Sequence, residues 1–367
     1  MAAAKRTTYV LQPPSEVDVG KNTTPLPLET STEDRLGDLP EALQLHILTF
    51  TDLDKFEPFV RRALSERDDL AKLDTVKYNA PEISSLETLM EVFDYAVKHG
   101  VKQLEASIET VEGLTSSLPT VSISDSLTSL KLQSAWSPGP IRVPFLGPNT
   151  PFKNLIILYL HGALITDEEP FVGFPMLESL TLLNCYFRTG NRTLIEVYLH
   201  NLRLSDLTIS YCNGVNKWEL RTPRLRYLEY GGSDFPKHEG LPVLETLKID
   251  FDEFNFSYMG SEVEKRRNDD LLSLLFGVPR VKSLTLFKTT VLLLYRFKDD
   301  LMKRGTPNLK ELRDLKVDFG ENCCPWLFHE PGGFEYVKDY LLQNSPHAKV
   351  TIMHEYSNDH PWGYIWD

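Results

Sequence analysis

The stretch LESLTLLNC (177–185) returns in altered form as LSDLTISYC (204–212), and its first six positions return again in LRYLEY (225–230) and LETLKI (244–249). Each begins with an apolar residue and places further apolar residues three and five positions later. Residues two apart lie on the same side of an extended chain. Leu180 and Leu182 therefore face a core, with Ser179, Thr181 and Leu183 on the other side. The same pattern, apolar-x-x-apolar-x-apolar, continues outward as VKQLEA (101–106), LTSLKL (127–132), LIILYL (155–160), VKSLTL (281–286) and LRDLKV (312–317). The first unit is the weakest, with Ala106 in its last apolar slot. A proline stands two residues ahead of four units, at Pro175, Pro223, Pro242 and Pro279, and at Pro307 if the last unit is registered from Leu309. Its fixed φ and missing donor suit the lead-in to a short strand.

Successive units start at 101, 127, 155, 177, 204, 225, 244, 281 and 312. These spacings straddle the period of about 20–29 residues that marks leucine-rich repeats, with insertions in the connecting arcs. Each buried leucine contributes about 1.5–3 kcal/mol, but one unit cannot cover its own apolar face, so the units must stack. The expected fold is an α/β leucine-rich-repeat solenoid with a parallel sheet on its concave face. The outward slots there carry Tyr159, His161, Thr181, Asp206, Thr208, Tyr227, Glu229, Lys248, Asp250 and Phe287. Tyrosines among charges are a composition that interfaces favour, and these ten residues are the expected partner-binding surface, although any solenoid exposes this face. Cys185 and Cys212 each follow the last apolar strand position by three residues, where they are expected to satisfy backbone groups in the turn leaving the strand.

Away from the repeats, the 37-residue step from 244 to 281 contains GSEVEKRRNDDLLSLLFGVP. Val263, Asp270, Leu271, Leu274 and Leu275 predict a helix on the convex side ending at Gly277, and Lys265-Arg266-Arg267 is read as part of its solvated face. Two more helical patterns run through Phe56–Leu70 and Leu86–His99, the second closed by Gly100. Before them, Asp38-Leu-Pro-Glu41 has a capping residue, a proline in the first turn and an acid three residues on. A helix is expected from Asp38, with Leu39, Leu43, Ile47 and Phe50 on one apolar stripe and Ala42, Leu45 and Leu48 on another. Two apolar stripes on a short helix leave one for a partner. Residues 1–33 lack apolar periodicity and are read as a disordered leader.

The chain has 367 residues, 41% hydrophobic and 25% charged, enough for one elongated domain or two compact ones. Its formal charge of -13 would repel a phosphate backbone, so no nucleic acid is expected as primary ligand. The longest aliphatic run, VLLL at 291–294, is far short of a membrane span, and MAAAKRTTYVLQPP has no apolar core of a signal peptide. No membrane association is expected. Four cysteines, two of them adjacent (Cys323 and Cys324), fit a reducing compartment, cytoplasm or nucleus, better than a disulfide framework. The sequons at Asn22, Asn191 and Asn255 are then chance matches.

The chain contains no Gly-rich phosphate loop, G-x-S-x-G elbow, H-E-x-x-H or C-x-x-C, so no catalytic residue, metal site or cofactor is assigned. Cys323, Cys324, His329, His347, His354 and His360 include zinc-ligand types without a recognised pairing of spacings. The aromatic tail Tyr356, Trp362, Tyr364 and Trp366 is read as a frayed end, a cap on the solenoid or a docking segment.

DRLGDLPEALQLHILTF (34–50) resembles the opening of the F-box, and the repeats with their Pro-x-Leu lead-ins resemble those of plant F-box proteins, including FVRRALSERDD and FDYAVKHGVKQLEA. FEYVKDYLLQNSPHAKVTI (334–352) is similar to the helix-strand end of the FBD module in that family. The resemblance implies a leader at 1–33, an F-box-like segment at 34–75, repeats at 76–305, an FBD-like end at 306–353 and a tail at 354–367. It further implies the substrate-recognition subunit of an SCF-type ubiquitin ligase, placing the chain in the ubiquitin-conjugation pathway as a non-catalytic subunit. Leu39, Pro40, Leu43, Ile47 and Phe50 would meet the Skp adaptor, and through it a cullin, while the repeats hold a substrate protein. The second half of an F-box usually carries a Leu-Ser-Lys-Arg-Trp segment, and no tryptophan precedes Trp136 here. Phe59–Arg67 is either a degenerate end of the F-box or the helix that follows it in this family, and the second reading implies a deletion. The rival expectation is a stand-alone repeat scaffold that has lost the adaptor. A pocket for a small signalling ligand would need a basic or recessed site, and the acidic composition speaks against an anionic one.

Overall fold

The computed structural model describes residues 45–46, 53–65, 73–79, 86–108, 124–134, 141–190, 194–232, 235–251, 261–319 and 333–353. In chain order its first strands are β1 (Leu45–His46), β2 (Thr75–Asn79), β3 (Gln103–Ile108), β4 (Ser129–Ser134), β5 (Ile141–Val143), β6 (Ile157–His161), β7 (Ala163–Ile165), β8 (Ser179–Leu183) and β9 (Tyr186–Phe187). Then come β10 (Ile195–Leu199), β11 (Asp206–Ser210), β12 (Val215–Leu220), β13 (Tyr227–Gly232), β14 (Lys237–His238), β15 (Thr246–Phe251), β16 (Ser283–Phe287), β17 (Asp314–Asp318) and β18 (Lys349–Met353). The helices are α1 (Leu53–Ser65), α2 (Leu86–Lys98), α3 (Ser261–Gly277), α4 (Lys288–Arg296), α5 (Lys298–Arg304) and α6 (Gly333–Leu342).

The molecule is an α/β structure dominated by one parallel sheet. Twelve strands pair in the order β1-β2-β3-β4-β6-β8-β11-β13-β15-β16-β17-β18, so they lie side by side in the order in which they are synthesised. The register aligns the second slot of each strand into one row through Leu104, Leu130, Leu158, Leu180, Leu207, Leu228, Leu247, Leu284 and Leu315. All nine are buried. A second buried row runs through Leu160, Leu182, Ile209, Tyr230, Ile249, Leu286 and Val317. All nine units predicted from the repeated pattern are strands of this sheet. A tenth unit, LDTVKY (73–78), lies outside the nine expected and forms β2, with Leu73, Val76 and Tyr78 buried.

The same local devices recur at both ends of the strands. Four of the prolines occupy the second position of a turn whose fourth residue starts the repeat pattern. The N–H groups of Leu177, Leu225, Leu244 and Val281 donate to Phe174 O (3.2 Å), Thr222 O (3.1 Å), Leu241 O (3.2 Å) and Val278 O (3.4 Å). Proline at that turn position is already held at the required φ. At the exit, Gly162, Asn184 and Tyr211 share one slot and the left-handed conformation, with φ of 66°, 50° and 54°. Gly162 has no alternative, because a Cβ there would lie 2.6 Å from Ser134 O. The two cysteines do what their position predicted. Cys185 Sγ points at Leu160 O (3.5 Å) and Cys212 Sγ at Leu182 O (3.6 Å), each on the preceding strand.

Two three-stranded parallel sheets, β5-β7-β9 and β10-β12-β14, follow the main strands of the middle units, and Phe187 of β9 meets Trp218 of β12 edge to face at 5.4 Å. Toward the end with higher residue numbers helices replace them, and α3 lies in the predicted insertion, ending at Gly277. Its buried side is Glu264, Arg267, Asn268, Leu271, Leu272, Leu274 and Leu275, a helical stripe. Arg267 is thus 1% exposed, which corrects its assignment to the solvated face; Lys265 and Arg266 are exposed. Helix α2 ends as expected at Gly100, where Gly100 N–H donates to Val97 O (3.2 Å) and Val101 N–H to Ala96 O (3.0 Å).

The helix expected from Asp38 is corrected at Leu45 and His46, the two of its positions that the structure describes. Leu45 and His46 form β1, in parallel register with Val76 and Lys77. The open edge of β2 supplies partners for backbone groups that a local helix would otherwise satisfy internally, and position 45 takes the second-slot register. Leu39, Pro40, Leu43, Ile47 and Phe50 lie outside the described residues, as do Cys323, Cys324, His329, His354, His360 and the aromatic tail.

Candidate functional site

The face of the main sheet opposite the leucine rows is built from the first, third and fifth slots of each strand. The third-slot row reads Lys77, Glu105, Lys131, Tyr159, Thr181, Thr208, Glu229, Lys248, Thr285, Lys316 and Thr351. Five residues expected at the binding surface, Tyr159, Thr181, Thr208, Glu229 and Lys248, stand in this one row. Asp206 and Tyr227 are paired neighbours in the first-slot row. His161 pairs with Leu183, Gly231 with Asp250, and Phe287 with Asp318 in the fifth. All ten are half-buried or exposed on this face.

Two polar networks occupy the row. In the first, Glu105 sits between Lys77 (3.4 Å) and Lys131 (2.6 Å). Partial burial pushes its carboxyl up, but the hydrogen bond and charge of Lys131, together with Lys77, outweigh this and hold it below the ordinary glutamate value. Lys131 Nζ also lies 5.1 Å from the centre of the Tyr159 ring, and Gln133 Nε2 donates to the Tyr159 hydroxyl at 3.3 Å. In the second, Tyr227 donates to Glu229, and Lys248 reaches Glu229 at 3.0 Å while lying 5.4 Å from the Tyr227 ring centre. Burial, then the bond to Glu229, raises the Tyr227 phenol; Tyr227 and then Glu229 raise Lys248.

Between the networks lies a neutral strip. The Thr181 and Thr208 hydroxyls are paired in register and have no side-chain partner among the described residues. His161 Nε2 accepts from Asn184 Nδ2 at 3.0 Å. Beyond the second network, the Tyr211 hydroxyl donates to Asp250 Oδ2 at 2.7 Å, and Thr289 Oγ1 donates to Asp250 Oδ1 at 3.3 Å. Tyr211 and Thr289 were missed in the sequence, since neither stands in a strand slot. The face thus offers oriented phenols, held charges and free hydroxyls on rigid backbone, which equips it to bind a polar surface by many weak contacts.

Among the described residues, no group of three or more His, Cys, Asp or Glu side chains is arranged to hold a metal ion, and no helix is long and apolar enough to cross a membrane. No protein-family model matches the chain, and no curated protein matches it.

Proposed function

We propose that the chain is a leucine-rich-repeat solenoid that recognises a partner protein on the exposed face of its sheet, and that it does so as the non-catalytic substrate-recognition subunit of an SCF-type ubiquitin ligase. One observation supports recognition above all: Tyr159, Thr181, Thr208, Glu229 and Lys248 are aligned in consecutive pairings on one rigid row, with hydroxyls left to meet a partner. The ligase role rests on the resemblance of residues 34–50 to the opening of an F-box. It assigns Leu39, Pro40, Leu43, Ile47 and Phe50 to a Skp adaptor linked to a cullin.

A second reading is a stand-alone repeat scaffold without adaptor contact. The pairing of Leu45 with Val76 favours it, because a segment added to the sheet edge is not presented as one continuous docking helix. Co-expression of the full chain with a Skp adaptor, followed by size exclusion, separates the two. The ligase reading expects co-elution that a Leu39→Asp, Ile47→Asp double variant abolishes. A folded chain that elutes alone leaves the scaffold.

A further inference from the structure

The lead-in turns stack as the strands do, and this gathers three arginines that are scattered in the sequence. Ser179, Asp206 and Tyr227 pair in register, so Glu178, Ser205 and Arg226 are aligned one residue ahead of β8, β11 and β13. Arg203 and Arg224 take the third position of successive turns, two residues before Ser205 and Arg226. The turn at Arg203 is set by Asn201, whose Oδ1 accepts from Arg203 N–H (2.8 Å) and Leu204 N–H (3.2 Å). Adjacent strands are about 4.8 Å apart, and Arg203, Arg224 and Arg226 all line one groove of about 340 Å³.

All three arginines are exposed, and none makes a side-chain ion pair or hydrogen bond among the described residues. Some cations elsewhere are held by carboxylates, as Lys131 is by Glu105 and Arg221 by Glu219 and Glu239, while others, such as Arg188 and Arg280, stand alone among the described residues; the three arginines here differ from the latter in lining one groove together. Of the residues that line the groove, one is acidic, Glu178, and three are arginines. A local excess of positive charge inside a chain of formal charge -13 is held against the trend of the composition. Guanidinium forks clustered this way match a phosphate monoester, which carries close to two negative charges and three acceptor oxygens. Apolar shoulders flank the charges. Pro223 and Val243 line the groove, and Leu202, next to Arg203, is 72% exposed. A peptide brings apolar side chains for such shoulders, whereas nucleic acid and anionic membrane bring an extended negative field that the rest of the molecule repels.

We propose that this groove binds a phosphoserine- or phosphothreonine-bearing segment of a partner protein, with Arg203, Arg224 and Arg226 on the phosphate and Leu202, Pro223 and Val243 against the flanking residues. The site lies at the rim of the sheet, and it stands or falls apart from adaptor binding.

The test is fluorescence anisotropy with the full chain and a short degenerate peptide library carrying a fixed central phosphoserine. Libraries with serine or glutamate at that position, inorganic phosphate, and vesicles of phosphatidylcholine with phosphatidylserine serve as the other arms. The phosphoserine library should bind at least about tenfold more tightly than the serine library, as loss of charge-assisted hydrogen bonds implies. An Arg203→Ala, Arg226→Ala double variant should lose that preference, and Glu178→Gln should strengthen it. These side chains are exposed, so both variants should keep the circular dichroism and melting of the parent. Equal binding of the two libraries, phosphate-dependent binding that survives in the double variant, binding of inorganic phosphate without preference for phosphopeptide, or preference for vesicles would each overturn the proposal.

Discussion

The hydroxyl of Tyr211 spans β13 to reach the carboxylate of Asp250 at 2.7 Å, joining two strands that are not neighbours in the sheet. It does so from a left-handed backbone conformation, φ 54°, with the side chain 48% exposed. A non-glycine residue in that conformation costs about 1–2 kcal/mol. Tyr211→Phe keeps that cost and loses the bond, so it should lower stability by about 0.5–1 kcal/mol. Tyr211→Gly loses the bond but relieves the backbone, and should fall within about 1 kcal/mol of the parent. Denaturant midpoints of the two variants would check this; a glycine variant much less stable than the phenylalanine one would show that the ring, not the backbone, dominates.

The leucine rows make stability a neighbour-to-neighbour property. Leu207 is fully buried between Leu180 and Leu228 in register. Leu207→Ala should cost about 2–5 kcal/mol. Hydrogen exchange should then show lost protection spreading through β8, β11 and β13 while β3 and β17 keep theirs. Uniform loss along the whole sheet would count against this picture.

At acid pH the Lys77-Glu105-Lys131 network should titrate. The folded-state pKa of Glu105 is lowered from 4.5, so its contribution is complete above that value and disappears as pH falls through the lower, folded value. Glu105→Gln should flatten the stability profile in this window and leave neutral pH behaviour of the sheet otherwise similar. Melting temperatures across the acid range would test it.

At alkaline pH the relevant group is Tyr340. Burial first, and then the neighbouring Tyr336, push its phenol up to about 12, while it donates to Gly305 O at 2.8 Å. A folded value above the unfolded 10.0 means stability that is present below pH 10 and lost as pH rises toward 12. Ultraviolet titration of the folded chain should show late-ionising phenols, Tyr227 among them, and Tyr340→Phe should remove one tyrosine from the latest part of the curve.

Much of this was readable in the sequence because one slot pattern fixes both burial and strand direction. The pattern located nine strands and put all ten expected face residues on one side. It could not locate β5, β7, β9, β10, β12 and β14, which are two to six residues long and carry no repeated signature. Helix α4 was hidden because Thr289, Thr290 and Val291 are β-branched and the helix starts directly after β16, with no turn residue to announce it. Local capping signals at Asp38 favoured a helix, but at Leu45–His46 pairing with a distant strand outweighs them. The arginine groove was invisible for a related reason: residues 203, 224 and 226 become neighbours only once the register is known.

The thiols offer a simple check on the exit turns. Burial, and then the adjacent Cys185, push the Cys212 thiol well above its usual value. Both cysteines are free and turned toward backbone carbonyls. Site-resolved alkylation at mildly alkaline pH should leave both unmodified in the folded chain and label both after denaturation.

That the strands lie side by side in chain order makes the sheet a ruler. Each unit advances the exposed face by one division of about 4.8 Å, whatever the length of the arc behind it. Loss or duplication of a whole unit would slide one stretch of the face past the other by one division and leave the chemistry of both intact. Insertions such as the one holding α3 leave the divisions unchanged, since Lys248 and Thr285 remain adjacent across it. Such a chain can change which distant groups a partner meets together without redesigning any of them.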